Sequence, residues 1–242
     1  MGVDFRSRKW LLFLALADCI LLILWYRGLF GTAENTAQAS SGKSLNRKEI
    51  SQNSVEAEGK KIALTFDDGP NDLYTEPLLD GLKERNVKAT FFLIGNEVLE
   101  KPEITRRIAE EGHMIGNHSF YHVDLSKLSE EEARMQIERT NEVIYEVTGQ
   151  YPQLIRPPFG KLHPRLVCDP PMAEVLWTID SRDWELDDVG TVVMNVLPKA
   201  EDNAIILMHD ASATSVAAAL SIVDSLLKEG YTFVTLDEIL FV

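Results

Sequence analysis

Cysteine is nearly missing from this 242-residue chain, which has two: Cys19 inside an apolar N-terminal run and Cys168 far down the sequence. That count excludes a disulfide-stapled scaffold. The settings of the two argue against a bond between them and leave the redox compartment undecided. A basic surplus is missing too. Twenty-four Lys and Arg stand against 38 Asp and Glu, a net charge of −14. No basic stripe interleaved with aromatics offsets that field, so nucleic acid is excluded as a partner, while a neutral glycan is not penalised. There is no Gly-rich phosphate loop of the P-loop kind, which weakens a phosphotransferase reading, and no internal repeat.

Long apolar runs are confined to one place. Trp10–Tyr26 (WLLFLALADCILLILWY) is apolar apart from Asp18 and Cys19 and follows Arg6, Arg8 and Lys9. It approaches the ~20 residues that cross a bilayer, with positive charge on the side that stays inside. The expectation is a cytoplasmic N-terminus over 1–9, a signal anchor forming one transmembrane helix over 10–28, a flexible linker over 29–60 and a folded domain over 61–242. The Asp18 carboxylate costs about 2.5 to 3.5 kcal/mol on insertion, which the surrounding leucines and isoleucines can offset. A cleaved signal peptide with a small-residue site at Ala37-Gln38-Ala39, giving a secreted protein, is the alternative. Residues 1–31 are net +2, so the remainder carries −16.

Past the linker, short apolar runs alternate with amphipathic ones, the pattern of strand and helix units around a parallel sheet. The expected strands are KIALTF (61–66), ATFFLI (89–94), HMIGN (113–117), QLIRP (153–157), EVLWTI (174–179), AIILM (204–208) and YTFVTL (231–236). Helices are expected over 76–85, 102–111, 129–148 and 216–229, the third opened by a Ser129/Glu132 capping box and stopped by Gly149. Seven such units suggest an α/β fold, a distorted (β/α)7 barrel, in which chemistry gathers at the C-terminal ends of strands.

Reactive side chains do fall just after the apolar runs. Asp67 and Asp68 follow the first, where an Asx-type turn into Gly-Pro is the bland account. His118 and His122 follow the third; one carboxylate added to two imidazoles suits zinc with a position left for water. Arg156 follows the fourth, ahead of two stiffening prolines, and can clamp a carboxylate in two-pronged fashion, or be only a surface arginine on a rigid turn. Asp180, Asp183 and Trp184 follow the fifth; a helix cap and a half-buried aromatic would account for them equally. His209 ends the sixth, where a satisfied core histidine is the alternative. Their coincidence at five strand exits outweighs these separate readings.

Taken in order, TFDDGP, HSFYH, RPPFG, DSRDW and LMHD resemble the five motifs of the NodB-homology polysaccharide deacetylases, carbohydrate esterase family 4, over Lys61 to Leu240. The resemblance implies a distorted barrel of NodB-homology type and removal of acetyl groups from GlcNAc polymers, with bacterial cell-wall peptidoglycan favoured for an outward-facing anchored domain. It implies a divalent metal, usually Zn2+ with Co2+ or Ni2+ as alternatives, on Asp68, His118 and His122. It makes Asp67 the general base, held by Arg156, and His209 the general acid, tuned by Asp183. The Phe159 N–H would serve the oxyanion, at a position where relatives often have tyrosine, and Trp184 and Leu207 would wall the pocket for the acetyl methyl. A departure falls at 161–172 (KLHPRLVCDPPM), where Pro164, Pro170 and Pro171 stand in place of a helix; an interior proline costs about 3 kcal/mol, so a broken connection is expected.

Two other functions stay open on sequence alone. An O-acetyl esterase acting on acetylated xylan would use the same groups, and a silent glycan-binding module would keep the fold without turnover. The complete set of ligands, base and acid argues against the module.

Overall fold

The computed structural model describes residues 59–166 and 171–241. The expected cytoplasmic end and anchor, most of the linker, Cys168 and Pro170 lie outside the described residues. No helix among the described residues is long and apolar enough to cross a membrane.

Among the described residues eight parallel strands form one sheet: β1 (Lys61–Asp67), β2 (Thr90–Leu93), β3 (Met114–Asn117), β4 (Leu154–Ile155), β5 (Ala173–Glu174), β6 (Ile179–Asp180), β7 (Ala204–His209) and β8 (Thr232–Val234). The order is β5-β4-β3-β2-β1-β7-β6, with β8 on the first residues of β1 and β2 on its last. Since β5 and β6 end the path, the barrel is incomplete between them. The helices are α1 (Thr75–Glu84), α2 (Gly95–Glu100), α3 (Pro102–Glu110), α4 (Glu130–Thr148), α5 (Val189–Val196), α6 (Ala213–Lys228) and α7 (Asp237–Leu240).

Strand alternation divides the core. Phe91 joins Phe66, Leu79 and Ile222 in the large apolar cluster, while its neighbour Phe92 faces the other way into a smaller one with Ala63, Leu154, Ile205 and Leu236. A period of two does this: consecutive side chains leave opposite faces of a strand. Helix α4 starts and stops as its residues dictate. Ser129 and Glu132 exchange both capping-box bonds, and Gly149 closes the helix at φ 73°, a left-handed conformation that glycine takes without penalty.

One expected strand is two. The run EVLWTI is split: β5 ends at Glu174 and β6 begins at Ile179, because the carbonyls of Val175 and Leu176 leave the ladder to accept hydrogen bonds from the Arg156 guanidinium. Three helices escape the sequence reading. Two are a single turn or little more, and α5 (VGTVVMNV) is so rich in β-branched residues that its pattern resembles a strand; the Asp188 carboxylate caps it by accepting the Thr191 N–H. The proline-bearing connection holds no helix over its described residues 161–166 and 171–172, in line with the expectation.

Candidate functional site

The strand exits meet at a cleft of about 370 Å³ lined by Asp67, Asp68, His118, His122, Pro157, Phe159, Trp177, Asp180, Trp184, Leu207 and His209. Nine of the ten residues given a role from sequence are therefore on it or, in the case of Arg156, directly bonded to it; Asp183 joins through His209. Pro157, Trp177 and Asp180 are lining residues to which the sequence reading gave no role.

Asp67 and Asp68 diverge because the backbone turns between them. Asp67 completes β1, paired across to His209 on β7 and to Phe92 on β2. Asp68 sits at φ 73°, a left-handed conformation that Asp tolerates better than most residues. Gly69 is needed for close approach: a Cβ there would lie 2.7 Å from an oxygen of buried Asp210, whose carboxyl burial pushes up to about 6.

The first carboxylate is clamped. Arg156, with no exposed surface, donates from Nη1 to Asp67 Oδ1 at 2.8 Å and to Thr65 Oγ1 at 2.7 Å. Its Nε and Nη2 donate to the carbonyls of Val175 and Leu176 at 3.1 and 2.9 Å. The guanidinium carbon lies 4.2 Å from the centre of the Phe92 ring. Burial lowers the Arg156 pKa and the Asp67 carboxylate opposes that shift. Such a buried charge persists only when paired and hydrogen-bonded, and here every guanidinium nitrogen has a partner.

The second carboxylate faces two imidazoles. Asp68 Oδ1 lies 3.2 Å from Nε2 of His118 and 3.2 Å from Nε2 of His122. His118 Nδ1 is 2.6 Å from the Arg156 carbonyl, which can only accept, so the ring proton of neutral His118 is on Nδ1 and a lone pair on Nε2 points at the carboxylate. Lone pair against anion is repulsive unless a cation lies between them. Asp68 Oδ1 is buried and has no hydrogen-bond partner among the described residues, and the three ligand atoms lie within 4.8 Å of one another. Two nitrogens and one oxygen, with one histidine fixed through its other nitrogen by a backbone carbonyl, match what a divalent metal requires. Burial disfavours the charged form of His118, yet the carboxylates of Asp67 and Asp68 outweigh it and raise the pKa; the same field favours any cation at Nε2.

A second ion pair stands across the cleft. His209 Nδ1 is 2.8 Å from Asp183 Oδ1, and Asp183 Oδ2 accepts the His209 backbone N–H at 2.8 Å. Burial works against the imidazolium, but the Asp183 hydrogen bond and charge, with Asp68 and Asp67 behind them, raise the His209 pKa to about 9. Ser181, absent from the sequence reading, donates its hydroxyl to Asp183 at 3.0 Å and helps to fix it. Around these groups Phe159 and Trp184 are 60% and 62% exposed, and Leu207 is buried. The Phe159 ring meets His122 edge-on at 4.9 Å.

A sequence model described as polysaccharide deacetylase matches residues 54–169. The peptidoglycan-N-acetylglucosamine deacetylase PgdA of Listeria monocytogenes is 41% identical over 180 residues, 74% of this chain and 39% of that protein, so the match spans well under half of that relative. A peptidoglycan-N-acetylglucosamine deacetylase of Bacillus cereus is 37% identical over 75% of this chain and 88% of its own length. The solved structure of peptidoglycan deacetylase PdaC from Bacillus subtilis superposes with a TM-score of 0.73 at 41% identity, covering 75% of this chain and 90% of that one. With its five motifs meeting at one cleft and relatives of this identity matched over most of their length, the chain belongs to the polysaccharide deacetylase family.

Proposed function

We propose that this chain is a metal-dependent N-deacetylase that hydrolyses the acetamido group of GlcNAc residues in a glycan, cell-wall peptidoglycan above all, and releases acetate. One observation carries the reading: an unpartnered carboxylate oxygen facing two imidazole nitrogens lies in the same cleft as an arginine-held carboxylate and a carboxylate-held histidine. Acetamide hydrolysis needs those three things, a cation, a base and an acid. The relatives named above are peptidoglycan deacetylases, which supports the choice of polymer.

Asp68, His118 and His122 are the residues to hold the metal, with Zn2+ the first candidate and Co2+ or Ni2+ after it. When bound, such an ion polarises the acetyl carbonyl and acidifies water. Asp67 is the base that takes the proton from the attacking water, and Arg156 keeps it ionised and aimed. The Phe159 N–H is the donor for the developing oxyanion. His209, kept cationic by Asp183, hands its proton to the departing sugar nitrogen so that the amine can leave. Trp184 and Leu207 wall the space for the acetyl methyl.

The N-terminal run supports a single-pass anchor with the domain outside the cell membrane, next to the wall. The test is acetate release by the chain purified in detergent, from GlcNAc oligomers, peptidoglycan and acetylxylan, with and without chelator and added zinc. Chelator-sensitive acetate from an N-acetylated glycan supports the reading. Release from acetylxylan alone would replace it with an esterase, and no release from a zinc-loaded protein would leave a silent module.

A further inference from the structure

We infer that Asn117, backed by Asn141, is a positioning residue that sets how tightly the two histidines hold metal; this rests on the functional reading above. Asn117 ends β3 directly before His118 and is completely buried. Both N–H groups of its side-chain amide and its oxygen are hydrogen-bonded. Oδ1 accepts the Ser119 N–H at 2.8 Å, while Nδ2 donates to the Ile137 carbonyl at 2.9 Å and to Asn141 Oδ1 at 2.7 Å. Only one orientation of the amide satisfies an N–H on one side and two oxygens on the other, so the network itself fixes it.

The consequence lies in the next five residues. Ser119 and His122 adopt φ 62° and 51°, left-handed values uncommon for residues with a Cβ. The chain must fold back between His118 and His122 for both Nε2 atoms to reach 3.2 Å from the same oxygen of Asp68. The Asn117 amide holds the first of these two turns by its bond to Ser119 N. Farther along, Gly95 and Asn96 donate to the Ser119 and Phe120 carbonyls, and Gln136 Oε1 accepts the Tyr121 N–H. The Asn117 amide is thus the link between the strand that carries His118 and the wall of α4, from which Ile137 and Asn141 both come. Asn141 is itself 5% exposed and donates one N–H to Met172 Sδ at 3.3 Å, which leaves its carbonyl oxygen toward Asn117.

Both side chains are distant in role from the chemistry: neither lines the cleft. Their effect belongs in metal affinity: the amide bonds the turn between the two ligands rather than a ligand itself, so the cost is expected toward the low end of the about 10- to 100-fold that loss of a ligand's outer partner brings. Zinc affinity of the chain in detergent, stripped of metal and titrated in competition with a chromophoric chelator, reads this directly. Far-UV circular dichroism and melting of the metal-free forms report folding. Asn117→Ala is expected to weaken zinc binding within that range, and Asn141→Leu by about tenfold. Asn141→Asp keeps an acceptor for Asn117, so the folded variant is expected to bind zinc close to the parent while its buried charge lowers the melting temperature. If Asn117→Ala does not fold, the two Asn141 variants decide. Folded Asn141→Leu with parental zinc affinity would overturn the inference, as would Asn141→Asp that binds as weakly as Asn141→Leu. A parent chain that binds no zinc would overturn the functional reading along with it, whereas a zinc-binding parent with indifferent variants overturns the inference alone.

Discussion

Asp183→Asn should move the basic limb of the activity profile, at the cost of turning the amide N–H toward the His209 backbone N–H that the carboxylate now accepts. The parent carboxylate faces His209 at 2.8 Å and raises the imidazole from the ordinary 6.5 to about 9 against the opposing pull of burial. That gap corresponds to about 3 kcal/mol at roughly 1.4 kcal/mol per pKa unit, the net of the Asp183 pairing and the smaller Asp68 and Asp67 contributions after the opposing burial is subtracted. Asparagine keeps an oxygen able to accept from Nδ1 but removes the charge, so His209 should fall to about 6.5 or below. Near pH ~7.5 the protonated fraction then drops from nearly all to about one tenth. The profile of kcat/KM against pH, which reports the free enzyme, should lose its upper limb near pH 9 and gain one about two units or more lower. Stability moves with it. A raised histidine pKa stabilises the fold fully below the unfolded value near 6.5, and that contribution is lost as pH climbs through about 9. The parent's advantage over the variant in urea unfolding should therefore shrink between those limits. An unchanged basic limb, together with a His209 NMR titration still centred near 9 in the variant, would refute both the pairing and the acid role.

Asp67→Asn should cut turnover by about 10²- to 10⁴-fold while zinc stays bound, since it removes a base and leaves the ligand set intact; His118→Ala should lose the zinc, which equilibrium dialysis separates from a pure rate effect. Arg156→Met should destabilise the domain by about 3 to 5 kcal/mol at neutral pH by leaving the Asp67 charge buried and unpaired. Urea unfolding measures that, and the loss should lessen in acid as the stranded carboxylate takes up a proton. Gly69→Ala should cost about 1 to 3 kcal/mol, because Asp210, fixed by the Thr75 hydroxyl, cannot retreat from the new methyl; a melting curve unchanged from the parent would show that the loop can shift.

How much of this was legible beforehand follows from the geometry of parallel strands. A side chain at the C-terminal end of a strand is marked in one dimension, since it follows an apolar run, and the barrel brings all such ends to one side. For that reason Asp67, His118, Arg156, Asp183 and His209 could be singled out together, though each alone had a bland account. The closing partners carry no such mark. Thr65, which receives Arg156 and passes a bond on to the Ile206 carbonyl, is a threonine inside an apolar strand, and nothing in its spacing sets it apart from Thr90. The two carbonyls that bind Arg156 are invisible in principle, because every residue has one; their diversion is also what divides EVLWTI into two strands.

Lateral neighbours were hidden for the same reason. Asn117 lies within an expected strand and Asn141 within an expected helix, 24 residues apart, and only the packing of α4 against β3 makes their amides meet. A buried amide inside an apolar run is costly unless every donor and acceptor is matched, so its presence at Asn117, one residue ahead of a histidine, is a signal that sequence alone could have offered as a question. Answering it needs the helix. The residues assigned to the chemistry are legible because they stand where chains end their strands, whereas the residues proposed to aim them depend on which elements become neighbours.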